Sequence, residues 1–154
     1  DRWFCEIAKE VSQDYPSVHF EEFIVDDMAH RLVVKPEELD VLLLPNLYGD
    51  ILSDLGAGTI GGLGLAPSGC YGNDFAYFES AHGTAPDIAD MGIINPTATL
   101  LSAAMMLRYL NLAEAANRLE TAIAEVYLAG SDLTPDQGGD ADTETFTDAV
   151  IGAL

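Results

Sequence analysis

The sequence predicts an α/β fold, and three observations carry that expectation. Stretches with apolar residues at helical spacing alternate with short apolar runs bounded by Pro and Asp, the pattern of helices interleaved with buried strands. Stop signals fall where the helical stretches end, with Pro16, Pro36 and Gly130 each closing one. Apolar residues make up 49% of the 154, and a chain of this length buries roughly 70% of its unfolded surface, so one sizeable core is within reach.

In chain order, residues 3–13 place Trp3, Phe4, Ile7, Ala8 and Val11 at helical spacing and end before Tyr15-Pro16. Residues 19–25 read as a strand. Asp26 or Asp27 then caps a helix through Val34, which Pro36 stops. The run 41–44, VLLL, lies between Asp40 and Pro45 and reads as a second, buried strand. Residues 50–57 are helical, and Gly56, Gly58, Gly61, Gly62 and Gly64 break the helix into a turn region. Residues 75–78 read as a third strand. Asn95 as N-cap and Pro96 at the first helical position open a helix to about Leu110, apolar almost all round and therefore buried. A helix over 112–129 closes on Gly130, and a last one over 144–153 is capped by Thr143. There is no internal repeat and no low-complexity tract.

Charge excludes several function classes. With 26 Asp and Glu against 6 Lys and Arg, the net charge of −20 repels phosphate backbones and anionic membrane surfaces, so neither nucleic acid nor membrane is expected as a partner. Two readings of the acidity stay open: a solvated, soluble surface, or halophilic adaptation to a salt-rich cytoplasm, in which screening shortens self-repulsion. Lys9 and Lys35 are the only lysines. Cys5 and Cys70 fit neither a zinc motif nor a disulfide framework and read as reduced thiols of a cytoplasmic protein. The apolar run 98–107 is too short for a bilayer, which needs about 20 residues.

Two strings carry chemistry. In residues 46–54, NLYGDILSD, Asp50 and Asp54 stand four apart and share one helix face. Two carboxylates so placed repel, and Asp has weak helix propensity, so the pair is locally unfavourable unless a divalent cation offsets it. Chance alone makes such pairs common in so acidic a chain. For Asp26 a plain helix N-cap is an equally good reading, and Asp27 beside it could exchange roles with it. The second string, residues 82–87, HGTAPD, has the makings of a nucleotide loop without being a GxGxxG fingerprint. A lone His82 in such a loop could equally make only a local hydrogen bond.

Together with residues 61–68 (GGLGLAPS), Asn95-Pro96 and residues 138–146 (GGDADTETF), these strings resemble the β-decarboxylating dehydrogenases: the isocitrate, homoisocitrate and 3-isopropylmalate dehydrogenase family. The resemblance runs from Trp3 to Leu154. Chains of that family are about twice as long, so the sequence looks like a C-terminal half, and its start at Asp1 without Met fits a truncated chain. The resemblance implies an isocitrate/isopropylmalate dehydrogenase-like α/β fold, in part. Residues 1–60 would belong to the substrate and dimerisation domain, and residues 61–154 would form the C-terminal part of the cofactor-binding domain.

It also implies a chemistry. Asp50 and Asp54 would bind Mg²⁺ or Mn²⁺ together with substrate, Asp50 being the catalytic candidate, and Asp26 would complete the metal site of the neighbouring subunit, so the protein would be a homodimer or larger. A 2-hydroxy acid held there would lose hydride to the nicotinamide, and the resulting keto acid would lose its β-carboxylate as CO₂ while the cation withdraws charge from the keto oxygen. For NAD, the resemblance implies that residues 61–64, with Gly64, and 82–85 are cofactor loops, that the backbone of Gly83, Thr84 and Ala85 lines the adenosine, that His82 packs near the adenine and that Asn95 touches the base. Glu79 would approach the nicotinamide ribose.

Asp87 discriminates between cofactors. A carboxylate there accepts from ribose hydroxyls and repels a 2′-phosphate, whereas NADP-using relatives tend to carry Lys-Tyr where this chain has Asp87-Ile88, so NAD is expected. Ser80-Ala81 and Asp90-Met91 depart from the family's frequent Pro-Val and Gly-Lys. The family's substrate-clamping arginines and its catalytic Tyr and Lys would lie upstream of Asp1. The small-molecule substrate is therefore a hydroxy acid of the isocitrate, homoisocitrate or isopropylmalate type, with residues 46–69 leaning towards the first two. A non-catalytic regulatory subunit or dimerisation module of the same fold is the alternative.

Overall fold

The computed structural model describes residues 2–154. The chain divides into two compact units, one ending at Thr59 and the other spanning Ile60–Leu154.

The first unit holds α1 (Arg2–Ser12), α2 (Val25–Val34) and α3 (Asn46–Thr59), with a 3₁₀ turn at Pro36–Glu38. The strands expected at 19–25 and 41–44 do not form. A strand exists through its ladder, and within this unit neither run has a neighbouring strand to pair with. The cap of α2 also differs from expectation: Ile24 occupies the N-cap without a side-chain bond, and Asp26 and Asp27 sit in the first turn. There they oppose the positive end of the helix dipole instead of capping it.

Helix α3 begins earlier and ends later than its propensities suggest, running through Gly49, Gly56 and Gly58. Packing overrides propensity here. A Cβ on Gly56 would lie 3.8 Å from Leu32 Cδ2, so α2 and α3 come close, and Leu52 and Ala57 of α3 are buried along with Met28 of α2.

The second unit contains β1 (Pro67–Tyr71), β2 (Ala76–Ser80), α4 (Thr97–Tyr109), α5 (Ala113–Ala129) and α6 (Thr143–Ala153), with 3₁₀ turns at Leu63–Leu65, Pro86–Ile88 and Pro135–Gln137. Strands β1 and β2 form an antiparallel hairpin in register Ser68 to Glu79 and Cys70 to Tyr77. The β1 strand lies partly inside the stretch read as a turn, because Pro67 and Gly69 mask the strand pattern. Gly69 has a packing reason: a Cβ there would come within 3.1 Å of Met105 Cε and of the Phe78 ring, so α4 lies close over the hairpin.

Helix α4 packs on α5, and Ala98 and Ala104 of α4 and Ala116 of α5 are fully buried. Helix α4 is less covered than expected, since Met106 and Tyr109 are exposed, although the Tyr109 ring still packs against Tyr71 and Phe78 of the hairpin. Helices α5 and α6 enclose the core of Ala122, Ile123, Val126, Phe146 and Val150, around which Leu100, Leu119 and Tyr127 close. Full burial of side chains such as Phe146 and Val150 contributes about 1.5–3 kcal/mol each.

Gly130 ends α5 in the left-handed conformation at φ 71°, as its position suggested. Helix α6 is capped by Asp142, whose carboxylate accepts from Thr145 N at 2.7 Å, and not by Thr143. Among the described residues no helix is long and apolar enough to cross a membrane.

Candidate functional site

In the first unit two of the candidate metal ligands sit on α3. Asp50 and Asp54 are one helical turn apart, both exposed, and neither takes part in any ion pair among the described residues. Exposed carboxylates without a protein cation are donors suited to a hard divalent ion, so the pair fits Mg²⁺ or Mn²⁺. Asp26 on α2 does not join them: among the described residues no three His, Cys, Asp or Glu side chains cluster tightly enough to hold a metal. A bound ion would need donors beyond this pair.

The two neighbouring aspartates of α2 are now distinguishable. Asp27 Oδ2 accepts from Arg31 Nε at 2.8 Å, and the Arg31 guanidinium lies 4.6 Å from the centre of the Phe23 ring. Asp26 Oδ1 accepts only the local Asp27 N–H, at 2.8 Å. Asp27 is therefore engaged within its own helix, and Asp26 retains an exposed oxygen for an external partner.

In the second unit the nucleotide candidates fall on three loops and one strand. Residues 83–85 have no regular structure and are exposed, and a Cβ added at Gly83 would meet open space. Ala85 sits in the left-handed region, φ 42° and ψ 62°, directly before Pro86. This conformation is costly for a residue with a Cβ and unusual before proline, and such strain gathers where function needs a fixed backbone. His82 Nδ1 lies 2.9 Å from Gly83 O; donating there would leave Nε2 as an acceptor. Asp87 is exposed in the 3₁₀ turn and free of ion pairs among the described residues, which suits a carboxylate reading ribose hydroxyls.

Glu79 projects from β2, and its carbonyl is fixed by Ser102 of α4. Ser102 Oγ lies 2.6 Å from Glu79 O and 2.7 Å from Ala98 O, able to donate to one at a time, while accepting from Ser68 N at 3.2 Å. One buried hydroxyl thus ties both strands to the helix.

Asn95 is only 3% exposed. Its Oδ1 accepts from Thr97 N, while Nδ2 donates to Tyr127 OH and to Asp136 Oδ2, all at 3.0 Å. With both amide hydrogens used, any contact to a base would come from the backbone. Helix α4 therefore starts one residue later than expected, with Pro96 in the cap position. Gly64 lies against this group, since a Cβ there would meet Asn95 Cβ at 3.2 Å. Gly61 and Gly62 hold φ of 118° and 124°, which their lack of a side chain permits.

Sequence reasoning missed Asp136 and its partners Thr134 and Gln137. The available signal was the turn string Thr134-Pro135-Asp136 before Gly138-Gly139, but nothing in it shows that it folds against residues 61–64 and 95. Partial desolvation by itself would raise the Asp136 carboxyl, but hydrogen bonds from Thr134, Gln137 and Asn95 outweigh it and hold the group below the usual aspartate range.

The profile described as isocitrate/isopropylmalate dehydrogenase matches residues 1–150. The chain belongs to that family. A protein named isocitrate/homoisocitrate dehydrogenase from Thermus thermophilus is 56% identical over 98% of this chain and 45% of its own length. A mitochondrial protein of Dictyostelium discoideum, named as a regulatory subunit of NAD isocitrate dehydrogenase, is 47% identical over 98% of this chain and 43% of its own. The crystal structure of isocitrate dehydrogenase from Methylococcus capsulatus superposes with a TM-score of 0.93 at 45% identity, covering 97% of this chain and 45% of that one. The chain thus spans about half the length of the family members it matches and has part of their fold. The family resemblance read from the motifs is shown, and its named members are dehydrogenases.

Proposed function

We propose that this chain supplies the metal-binding and NAD-binding residues of a β-decarboxylating dehydrogenase acting on isocitrate, homoisocitrate or 3-isopropylmalate. The observation that carries this reading is the exposed Asp50 and Asp54 on α3, without an ion pair among the described residues, in a chain that also has an exposed loop with Asp87 likewise outside any such ion pair and Ala85 held in a strained conformation. Residues up to 60 then serve substrate binding and dimerisation, and residues 61–154 serve the cofactor.

When bound, Mg²⁺ or Mn²⁺ supplies Lewis-acid chemistry at the oxygen on the substrate's C2, and NAD takes up the hydride. The protein's own part is positional. Asp50 and Asp54 fix the place of the cation and with it the hydroxyl-bearing carbon, and Asp26 offers its exposed oxygen to the site of a second subunit. Asp87 accepts from the adenosine ribose, His82 packs beside the adenine, Gly64, Gly83, Thr84, Ala85 and the Asn95 backbone line the adenosine, and Glu79 faces the nicotinamide ribose.

Assembly follows from the first unit's surface. Ile24, Val33 and Val34 around α2 and Leu47 and Ile51 on α3 are all more than half exposed, more apolar surface than so small a unit leaves bare when alone. A homodimer or larger assembly covers these faces.

A second reading, a regulatory subunit without activity, is favoured by the relative named as such. The two part company on metal. Titrating Mn²⁺ into the full-length protein should show binding that tightens when a candidate hydroxy acid is present, because the acid contributes its hydroxyl and carboxylate as ligands. Equal Mn²⁺ binding with and without every candidate acid favours the regulatory subunit.

A further inference from the structure

Three segments distant in sequence meet at one carboxylate. Asp136 Oδ1 accepts from Thr134 Oγ1 at 2.6 Å, and Oδ2 accepts from Asn95 Nδ2 and Gln137 Nε2, each at 3.0 Å. Gln137 Nε2 also donates to Gly61 O at 3.2 Å, and a Cβ on Gly64 would stand 3.5 Å from Asp136 Oδ2, so the 61–64 turn lies directly on this group. A few residues on, Thr143 N donates to Gly92 O at 2.7 Å, and Thr143 Oγ1 donates to Ile94 O. Residues 134–143 therefore form a strap fastened to the 61–64 turn at one end and along the 92–95 loop.

The chemistry at the junction is one-sided. Hydroxyl and amide donors converge on Asp136, and a carboxylate is the side chain that offers only acceptors. An asparagine of the same shape would turn an NH₂ group towards donors or leave one of them without its acceptor. Thr134 is fully buried and Asn95 nearly so, which leaves water little room to substitute.

We propose that Asp136 is a positioning residue for cofactor binding, fixing the 61–64 turn and the 92–95 loop relative to each other before the nucleotide arrives. The inference rests on the cofactor reading of those loops. Asp136 acts through Asn95 and Gln137, and the benefit to affinity comes from loops that need no ordering on binding.

The test compares full-length wild type with Asp136→Asn, and with Gln137→Ala, which releases the Gly61 contact and one of the hydrogen bonds to Asp136 but keeps the carboxylate, should the first variant fold poorly. Amide hydrogen exchange at 61–66 and 92–95, measured without nucleotide, should quicken in Asp136→Asn, and at 61–66 in Gln137→Ala. The dissociation constant and KM for NAD should rise about tenfold in Asp136→Asn, the scale of one lost hydrogen bond, with kcat at saturating NAD and KM for the acid unchanged. Unaltered exchange in both variants would overturn the strap. Faster exchange with unaltered NAD affinity would overturn its role in binding, as would a fall confined to kcat. A wild-type protein that binds no NAD overturns the cofactor reading itself, a result distinguishable because the exchange comparison needs no nucleotide.

Discussion

Asp50→Asn is expected to lower kcat/KM of the full-length enzyme by about two to four orders of magnitude at fixed Mn²⁺, the scale of losing a cation whose Lewis-acid action is worth several kcal/mol. The substitution keeps size but exchanges a carboxylate oxygen for an NH₂ group and removes one of the two charges proposed to hold the ion. Raising Mn²⁺ should restore part of the activity, since on the proposed reading the remaining Asp54 would still bind, only more weakly. Stability should not fall. Asp50 is exposed, pairs with no cation among the described residues and faces Asp54 one turn away, so neutralising it relieves repulsion along α3. Thermal melting in EDTA separates the outcomes. Lost activity with an equal or higher melting temperature marks a charge kept for function, whereas lost activity with a lower one would mean that Asp50 supports the helix.

The second large effect is on cofactor choice. The double change Asp87→Lys with Ile88→Tyr should move preference from NAD towards NADP. On the proposed reading, charge-assisted hydrogen bonds from ribose hydroxyls to Asp87 would be worth about 1.5–3 kcal/mol, so their loss alone should cost NAD roughly ten- to a hundredfold in kcat/KM. Lysine adds attraction for a 2′-phosphate where the carboxylate repelled it. Asp87 is exposed in its 3₁₀ turn, so its replacement disturbs no core packing, whereas Ile88 beside it is half-buried and the melting temperature of the double variant is measured alongside. Measuring kcat/KM for both cofactors decides the matter: an unchanged ratio would mean that Asp87 does not touch the ribose and would remove the basis for placing NAD on residues 82–87.

Helix existence was the easiest property to read, because apolar spacing and stop signals act locally: Pro36, Gly130 and the Asn95-Pro96 pair each fell within a residue or two of an observed end. Strands were harder. The runs at 19–25 and 41–44 look like strands by composition, yet pairing is a property of two segments, and their unit supplies no partner. Conversely β1 is hidden by Pro67 and Gly69 and forms because β2 pairs with it and α4 covers it.

The same division holds at the candidate site. Spacing alone put Asp50 and Asp54 on one face of a helix, where the structure has them. The commitment of Asp27 to Arg31, the closed hydrogen-bonding of Asn95 and the bracing of Gly61 by Gln137 all depend on partners that sequence distance conceals.

The measurement that bears most directly on the central claim is the yield of products from a single assay of the full-length protein. Incubated with NAD, Mn²⁺ and isocitrate, homoisocitrate or 3-isopropylmalate, it should release NADH and CO₂ in equal amounts with at least one of the three, and chelation of the metal should stop both together. NADH without CO₂, or no NADH with any of these acids, would contradict an oxidative decarboxylase.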